Sequence, residues 1–192
     1  MCFVSANRAR LNKTKKVVAM KLTPRHFKDR TSISKLTMSL DYIFGRGTSK
    51  ALKSRKLAFE YSRRTGRLKY VTEDGSSNIL FTFRTNGSIA PTVLGTKLLL
   101  SRISRNERPP WVVTVIDGVS EVVSTGKTVF CKHVVQCGDS VRAGEDVAIM
   151  NESGDLLAVG RTVVSGPTMK QFKRGPAIKV REGLTKIGSD EL

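Results

Sequence analysis

The sequence predicts an α+β protein built in two parts, and three observations lead there. Short alternating segments bounded by turn residues recur along both halves, the pattern of antiparallel sheets. A helical period is confined to a few stretches, and Leu36, Leu40, Ile43 and Phe44 form its clearest apolar face. Charge then divides the chain. Residues 1–36 hold 10 Lys and Arg against 1 acidic residue, residues 37–108 hold 14 against 5, and residues 109–192 hold 10 against 10. A basic front joined to a charge-balanced back points to more than one domain, and 192 residues allow one large or two small ones.

Residues 1–35 are rich in Lys and Arg and poor in apolar clusters, so a flexible basic arm that orders on a partner is expected. Its composition superficially fits a mitochondrial transit peptide, but the arm is the preferred reading. Met20 and Met38 stand as alternative starts to Met1. A first helix runs from Leu36, Gly45 and Gly47 interrupt it, and Thr48 or Ser49 caps a further turn toward Leu52. Strands follow at Leu57–Tyr61, Leu68–Thr72 and Ile79–Phe83. Residues Ser62 to Gly66 make a tight turn, and Asn86-Gly87 is a hairpin signal. Pro91-Thr92 opens a helix through Leu94, Leu98 and Ile103. The front domain, 36–108, is thus helix, about four strands, helix.

Arg105 to Pro110 is polar, ends in two prolines, and is expected to be a linker. Beyond it, Trp111–Ile116 has the continuous apolar character of a strand buried on both faces. Asp117 is expected to cap a short helix that turns Val119, Val122 and Val123 inward, with Gly126 ending it. Further strands are predicted at Thr128–Val135, Asp146–Asn151 and Leu156–Val164. A brief helix follows at Thr168–Arg174, stopped by Gly175-Pro176, and then a last strand at Ala177–Arg181. Many short strands with two small helices describe a barrel-like domain over 109–184, with a tail at 185–192. No internal repeat relates the halves.

Several function classes fall away. No run of 18 uninterrupted apolar residues occurs, so no transmembrane helix and no membrane partner are expected. No signal peptide is evident. Cys2, Cys131 and Cys137 fit neither a disulfide framework nor a zinc site and are expected as buried or indifferent thiols in a reducing cytoplasm. Asp117, Asp139, Asp146 and Asp155 all fall at turns or caps, where a carboxylate satisfies nearby backbone N–H groups. Neither a P-loop, a dinucleotide fingerprint, HExxH nor a nucleophile elbow is present. The chain is therefore expected to be non-enzymatic, without catalytic residue, cofactor or metal. A formal charge of +18 attracts polyanions, nucleic acid first.

Specific segments carry a resemblance. Gly126-Lys127-Thr128-Val129-Phe130-Cys131-Lys132-His133-Val134-Val135 is similar to the stretch after the first helix of PUA domains. Gly144-Glu145-Asp146-Val147 fits that family's turn into the next strand, and Leu156-Leu157-Ala158-Val159-Gly160-Arg161 fits its L-x-A-x-G signature. Met169 through Arg181 resembles the ending found in archaeal tRNA-guanine transglycosylases and archaeosine synthases. Upstream, Tyr42-Ile43-Phe44-Gly45-Arg46-Gly47 and Glu60-Tyr61-Ser62-Arg63-Arg64-Thr65-Gly66-Arg67 resemble the small domain preceding the PUA domain in those enzymes. The resemblance covers roughly residues 37–184. It implies a small α/β pre-PUA domain followed by a PUA pseudo-β-barrel that holds tRNA. The catalytic barrel of the transglycosylase, which needs about 250 residues, has no counterpart in this sequence.

The expected function is a non-catalytic tRNA-binding accessory protein of an archaeal tRNA-modification system, the archaeosine type, with a catalytic subunit as partner. Two alternatives stand beside it: a ribosome- or rRNA-associated PUA protein, and a small stand-alone RNA-modifying enzyme. Arg63, Arg64 and Arg67 surround a hairpin turn, where planar guanidinium forks suit neighbouring phosphates. Lys127, Lys132, Lys173 and Arg174 lie beside Gly126 and Gly175, and glycine admits close approach of a sugar-phosphate chain. Gly160 and Arg161 are a weaker pair, because a strand glycine also marks bulges. Phe130 is a stacking candidate, although a strand Phe more often belongs to the core. His133 is read as packing or surface rather than as a base or ligand.

Overall fold

A computed structural model describes the protein over residues 30–103 and 108–185. Residues 1–29 of the expected arm, residues 105–107 of the expected linker and residues 186–192 of the expected tail lie outside the described residues. In the front half, helix α1 (Arg30–Phe44) leads through a 3-10 turn (Thr48–Leu52) into a four-stranded antiparallel sheet. Its strands run in sequence order: β1 (Leu57–Tyr61), β2 (Leu68–Glu73), β3 (Ile79–Phe83) and β4 (Ile89–Pro91). Phe59, Val71, Phe81 and Pro91 stand in one register row, and with Leu36, Leu40 and Phe44 of α1 they make one buried face. Pro91 cannot donate to a ladder, and it sits on an edge strand, where none is required.

Helix α1 begins at Arg30, so residues 30–35, expected in the arm, are helical. The extra turns are anchored by Ser32, which is buried and shares a hydrogen bond with the Tyr61 hydroxyl. A buried serine leaves no trace in an apolar period, which is why the sequence placed the start at Leu36. Thr48 and Ser49 do not cap the 3-10 turn as expected. Asp41 gathers it instead, accepting from Gly47 N (3.1 Å), Ser49 N (2.8 Å), Ser49 Oγ (2.9 Å) and Thr48 Oγ1 (3.3 Å). Burial alone would raise the pKa of this carboxyl, but the hydrogen bonds from Ser49, Thr48 and Gly47 outweigh it and hold it below its ordinary value. A depressed carboxylate pKa stabilises the fold above the unfolded value of about 3.9 and loses that contribution as pH falls through the folded value. Asp41→Ala is therefore expected to cost about 1 kcal/mol at neutral pH, as for loss of a cap, and progressively less in acid. Denaturant melts at two pH values measure both effects.

Thr92 caps helix α2 (Val93–Leu100) by accepting from Gly95 N at 3.1 Å. Its buried side is Val93, Gly95, Thr96 and Leu99, while the expected Leu94 and Leu98 lie half-buried at the flanks. Gly95 sets this rotation: a Cβ there would come within 2.1 Å of the Leu80 carbonyl oxygen, so only glycine lets the helix settle on β3.

In the back half, β5 (Val112–Val115) is followed by a 3-10 turn (Asp117–Val119), α3 (Ser120–Ser124), β6 (Val129–Phe130), β7 (Val134–Cys137), β8 (Asp146–Met150), β9 (Leu156–Thr162), α4 (Gly166–Gln171) and β10 (Pro176–Gly183). The six strands are ordered β6-β10-β9-β8-β5-β7, and only β5 with β8 is parallel. The strand expected over Thr128–Val135 is broken by a 3-10 turn at Cys131–His133. Its first piece pairs with β10 and its second with β5, at opposite ends of the order, and that break curls the sheet into a nearly closed barrel. Asp117 does not cap α3; its carboxylate accepts from Glu152 N at 3.0 Å, and Glu152 returns the bond to Asp117 N at 3.2 Å. Of the valines expected inward, Val123 is buried and Val122 is exposed.

Strand alternation splits the back sheet into two differently buried faces. Val113, Val115, Val147, Ile149, Ala158 and Ile178 point into the barrel. On the outer face, Val112, Ala148, Leu156 and Val159 join the core of the front half, together with Phe44, Leu99 and Trp111. Trp111 donates its indole N–H to the Phe44 carbonyl at 2.7 Å and meets the Phe44 ring edge-on at 5.2 Å. The front half thus covers one end of the outer face and leaves the other end open. Among the described residues, no helix is long and apolar enough to cross a membrane.

Candidate nucleic-acid interface

Local turns place the back-half candidates together. Helix α3 ends at Ser124, and Gly126 just beyond it takes a φ of +93° in the left-handed region that glycine enters without strain. The chain doubles back, Lys127 N donating to Val122 O at 3.3 Å, and β6 then pairs with β10 so that Phe130 faces Pro176. Cys131 N donates to Gly175 O at 3.0 Å, and Gly175 also takes a positive φ, +95°. These bonds set the segment carrying Gly126, Lys127, Phe130 and Lys132 against the segment carrying Lys173, Arg174 and Gly175. The four cations are all exposed.

Phe130 is 45% exposed, so it is not the core residue that a strand Phe usually becomes. It borders a groove of ≈ 600 Å³ lined by Val119, Val122, Lys127, Thr128 and His133. The exposure of Val122, 53%, follows from its place on the groove wall. His133 is half-buried there, and burial together with the neighbouring Lys132 charge lowers its pKa. At neutral pH the groove therefore holds an uncharged imidazole, one aromatic face and a lysine: an apolar slot with a cationic lip. Such a slot suits a base with its phosphate.

The other candidates sit elsewhere. Arg63, Arg64 and Arg67 are exposed on the β1–β2 turn of the front sheet, which is closed by Ser62 N to Arg67 O and Gly66 N to Ser62 O, both 2.8 Å. Gly160 is buried against β10: a Cβ would lie 2.8 Å from both Ile178 Cγ2 and Lys179 O. It presents no surface and serves strand packing. Gly160→Ala is expected to cost about 1–3 kcal/mol, the usual range for overpacking, read by a denaturant melt. Arg161 is exposed on the opposite face, its Nε donating to Gly144 O at 2.6 Å.

A group of ionic residues missed in the sequence joins the two halves. Asp146, expected as a turn residue, has a side chain only 7% exposed and accepts from two arginines. Arg84 at the end of β3 grips it with two bonds, Nη1 to Oδ2 at 2.6 Å and Nη2 to Oδ1 at 2.8 Å. Arg181 of β10 donates to Oδ1 at 2.8 Å and also to the Pro91 carbonyl. Partial burial lowers the pKa of the Arg181 guanidinium, although its side chain keeps 35% of its exposure. Glu182 accepts from Val93 N, at the start of α2, at 3.2 Å. Partners separated by 35 and 62 positions leave no local signal, and a strand-initial Asp reads as a turn residue. Asp139 also does more than shape a turn, pairing with Lys170 at 2.7 Å.

A curled six-stranded sheet of this order with two small helices, open beside a cationic groove, is the architecture of a PUA domain. Residues 111–184 match the PUA domain family, and residues 34–106 match the patch-forming domain C2 of tRNA-guanine transglycosylase. The chain carries a PUA domain preceded by a C2-type domain, as the resemblance implied. It is 36% identical over 130 residues to the tRNA-guanine(15) transglycosylase of Methanocaldococcus jannaschii, covering 67% of this chain and 19% of that protein. With the enzyme of the same name from Methanobrevibacter smithii it shares 32% identity over 163 residues, 84% of this chain and 24% of the relative. The chain thus spans only about a fifth to a quarter of the length of these relatives. Among solved structures, a hypothetical protein of Pyrococcus horikoshii superposes with a TM-score of 0.63 at 22% identity, over 80% of this chain and 90% of that one. A PUA domain protein of Thermoplasma acidophilum gives 0.58 at 18% identity, over 82% and 92%. At such identities the likeness is one of fold.

Proposed function

We propose that this protein is a non-catalytic RNA-binding unit that holds tRNA for an archaeal tRNA-modifying activity of the transglycosylase type, the chemistry being supplied by another polypeptide. The observation that carries this reading is an apolar groove lined by Lys127 and Phe130, with exposed Lys132, Lys173 and Arg174 on the two segments joined beside it, within a domain pair whose relatives are tRNA-guanine transglycosylases. Cations neutralise phosphates and fix orientation, while the aromatic and the valine wall receive a base. Arg63, Arg64 and Arg67 on the front sheet are assigned a second phosphate contact, which lengthens the footprint on a folded RNA.

Crosslinking in cells followed by sequencing of the bound RNA tests the reading. Dominant recovery of tRNA supports it, and co-purification of a transglycosylase or archaeosine synthase subunit supports the accessory role. Dominant recovery of ribosomal RNA would replace it with a ribosome-associated role, for which the strongly basic residues 1–36 supply the motive. Turnover of tRNA by the purified protein without partners would overturn its non-catalytic character.

A further inference from the structure

The open end of the back sheet's outer face has a charge pattern that the groove does not account for. Lys179 lies between Ile178 and Val180, which pack into the barrel, so it points outward, and Arg181, at a β-bulge one step on, reaches the same face through its bond to Asp146. On the neighbouring strand Arg161 is in register with Lys179, about 4.8 Å away in the pairing direction. The exposed Arg142 belongs to the turn before β8 that Arg161 itself reaches, donating Nε to Gly144 O at 2.6 Å. Arg84 enters from the front half.

Five cations here meet three carboxylates, and each carboxylate is already engaged. Asp146 is held by Arg84 and Arg181, Glu145 accepts from Arg142 N at 2.9 Å, and Glu182 accepts from Val93 N. Arg84 and Arg181 spend their terminal nitrogens on Asp146 and Pro91, so they contribute field rather than direct contacts. Two guanidiniums on one carboxylate leave a net positive charge fixed in place. Arg161 uses Nε alone and keeps its terminal amino groups. Arg142 and Lys179 have no side-chain hydrogen bond or ion pair among the described residues. Free donors on β9, β10 and the adjoining turn therefore stand beside a net positive charge that the buried Asp146 holds in place.

We propose that Arg142, Arg161 and Lys179, backed by Arg181 and Arg84, form a further phosphate-binding surface, separate from the groove and from the Arg63–Arg67 turn, which follows one RNA backbone across the junction between the two halves. It rests on the RNA-binding reading and extends it beyond the groove. Charge complementarity selects the occupant: free cationic donors beside a fixed net positive charge fit a sugar-phosphate chain rather than an apolar protein face.

The test is Arg142→Gln with Lys179→Gln in the full chain, beside Lys173→Ala with Arg174→Ala, measuring binding to a tRNA transcript at several salt concentrations. Loss of two phosphate contacts lowers the slope of log K against log salt by about 1.4–1.8. The expected result is that decrease, with a Kd raised severalfold and an unchanged melting curve. Arg142→Glu with Lys179→Glu should weaken binding further. If the groove variant weakens binding while both junction variants keep the wild-type slope and Kd, the junction surface is overturned and the RNA-binding reading stands. If the wild-type protein does not bind structured RNA, both fall.

Discussion

Asp146→Ala should destabilise the protein by about 3 kcal/mol, toward the lower end of the cost of breaking a buried ion pair, because Arg84 and Arg181 keep partial access to water. The cost is dominated by two guanidiniums left facing each other without a counter-charge. Replacing Arg84 and Arg181 with Met and Asp146 with Leu together should be far milder, since the apolar trio removes the desolvation penalty along with the attraction. Denaturant melts of the two variants give the contrast directly. A loss below about 1 kcal/mol for Asp146→Ala would reduce the clamp to an ordinary surface pair.

Lys173→Ala combined with Arg174→Ala should weaken tRNA binding by about 1–3 kcal/mol, roughly 5- to 150-fold in Kd, without moving the melting curve. Both side chains are exposed and neither has an ion pair among the described residues, so the loss falls on the ligand rather than on the fold. Adding Phe130→Ala should remove a further contribution that is insensitive to salt, because stacking releases no counterions. Fluorescence anisotropy across a salt series separates the two. An unchanged Kd in the double variant would exclude the groove as the main contact.

Much of this architecture was legible in the sequence because it is written in short-range patterns. Alternation located β1, β2 and β3, the Asn86-Gly87 signal marked the β3–β4 hairpin, and Thr92 announced α2. The misplaced features are those decided by distant partners. Ser32 starts α1 early because of Tyr61, 29 positions away, and Gly95 rotates α2 because of the Leu80 carbonyl. The segment Thr128–Val135 has uninterrupted strand character, yet its two ends pair with different strands, which no local period encodes. Among the candidate site residues, the glycines beside cations pointed to a real juxtaposition of two segments. Gly160 carried the same signal for a packing reason.

The last strand has a consequence for how the chain is made. β10 lies between β6 and β9, and its residues are the last of the six strands to leave a ribosome. Until they do, the nascent barrel exposes two unpaired edges at once, able to pair with any passing strand. The front sheet faces no such delay, because its four strands are neighbours in both space and sequence. Synthesis should therefore yield a finished first half waiting on a barrel that closes only at the end, the interval in which a chaperone has most to protect.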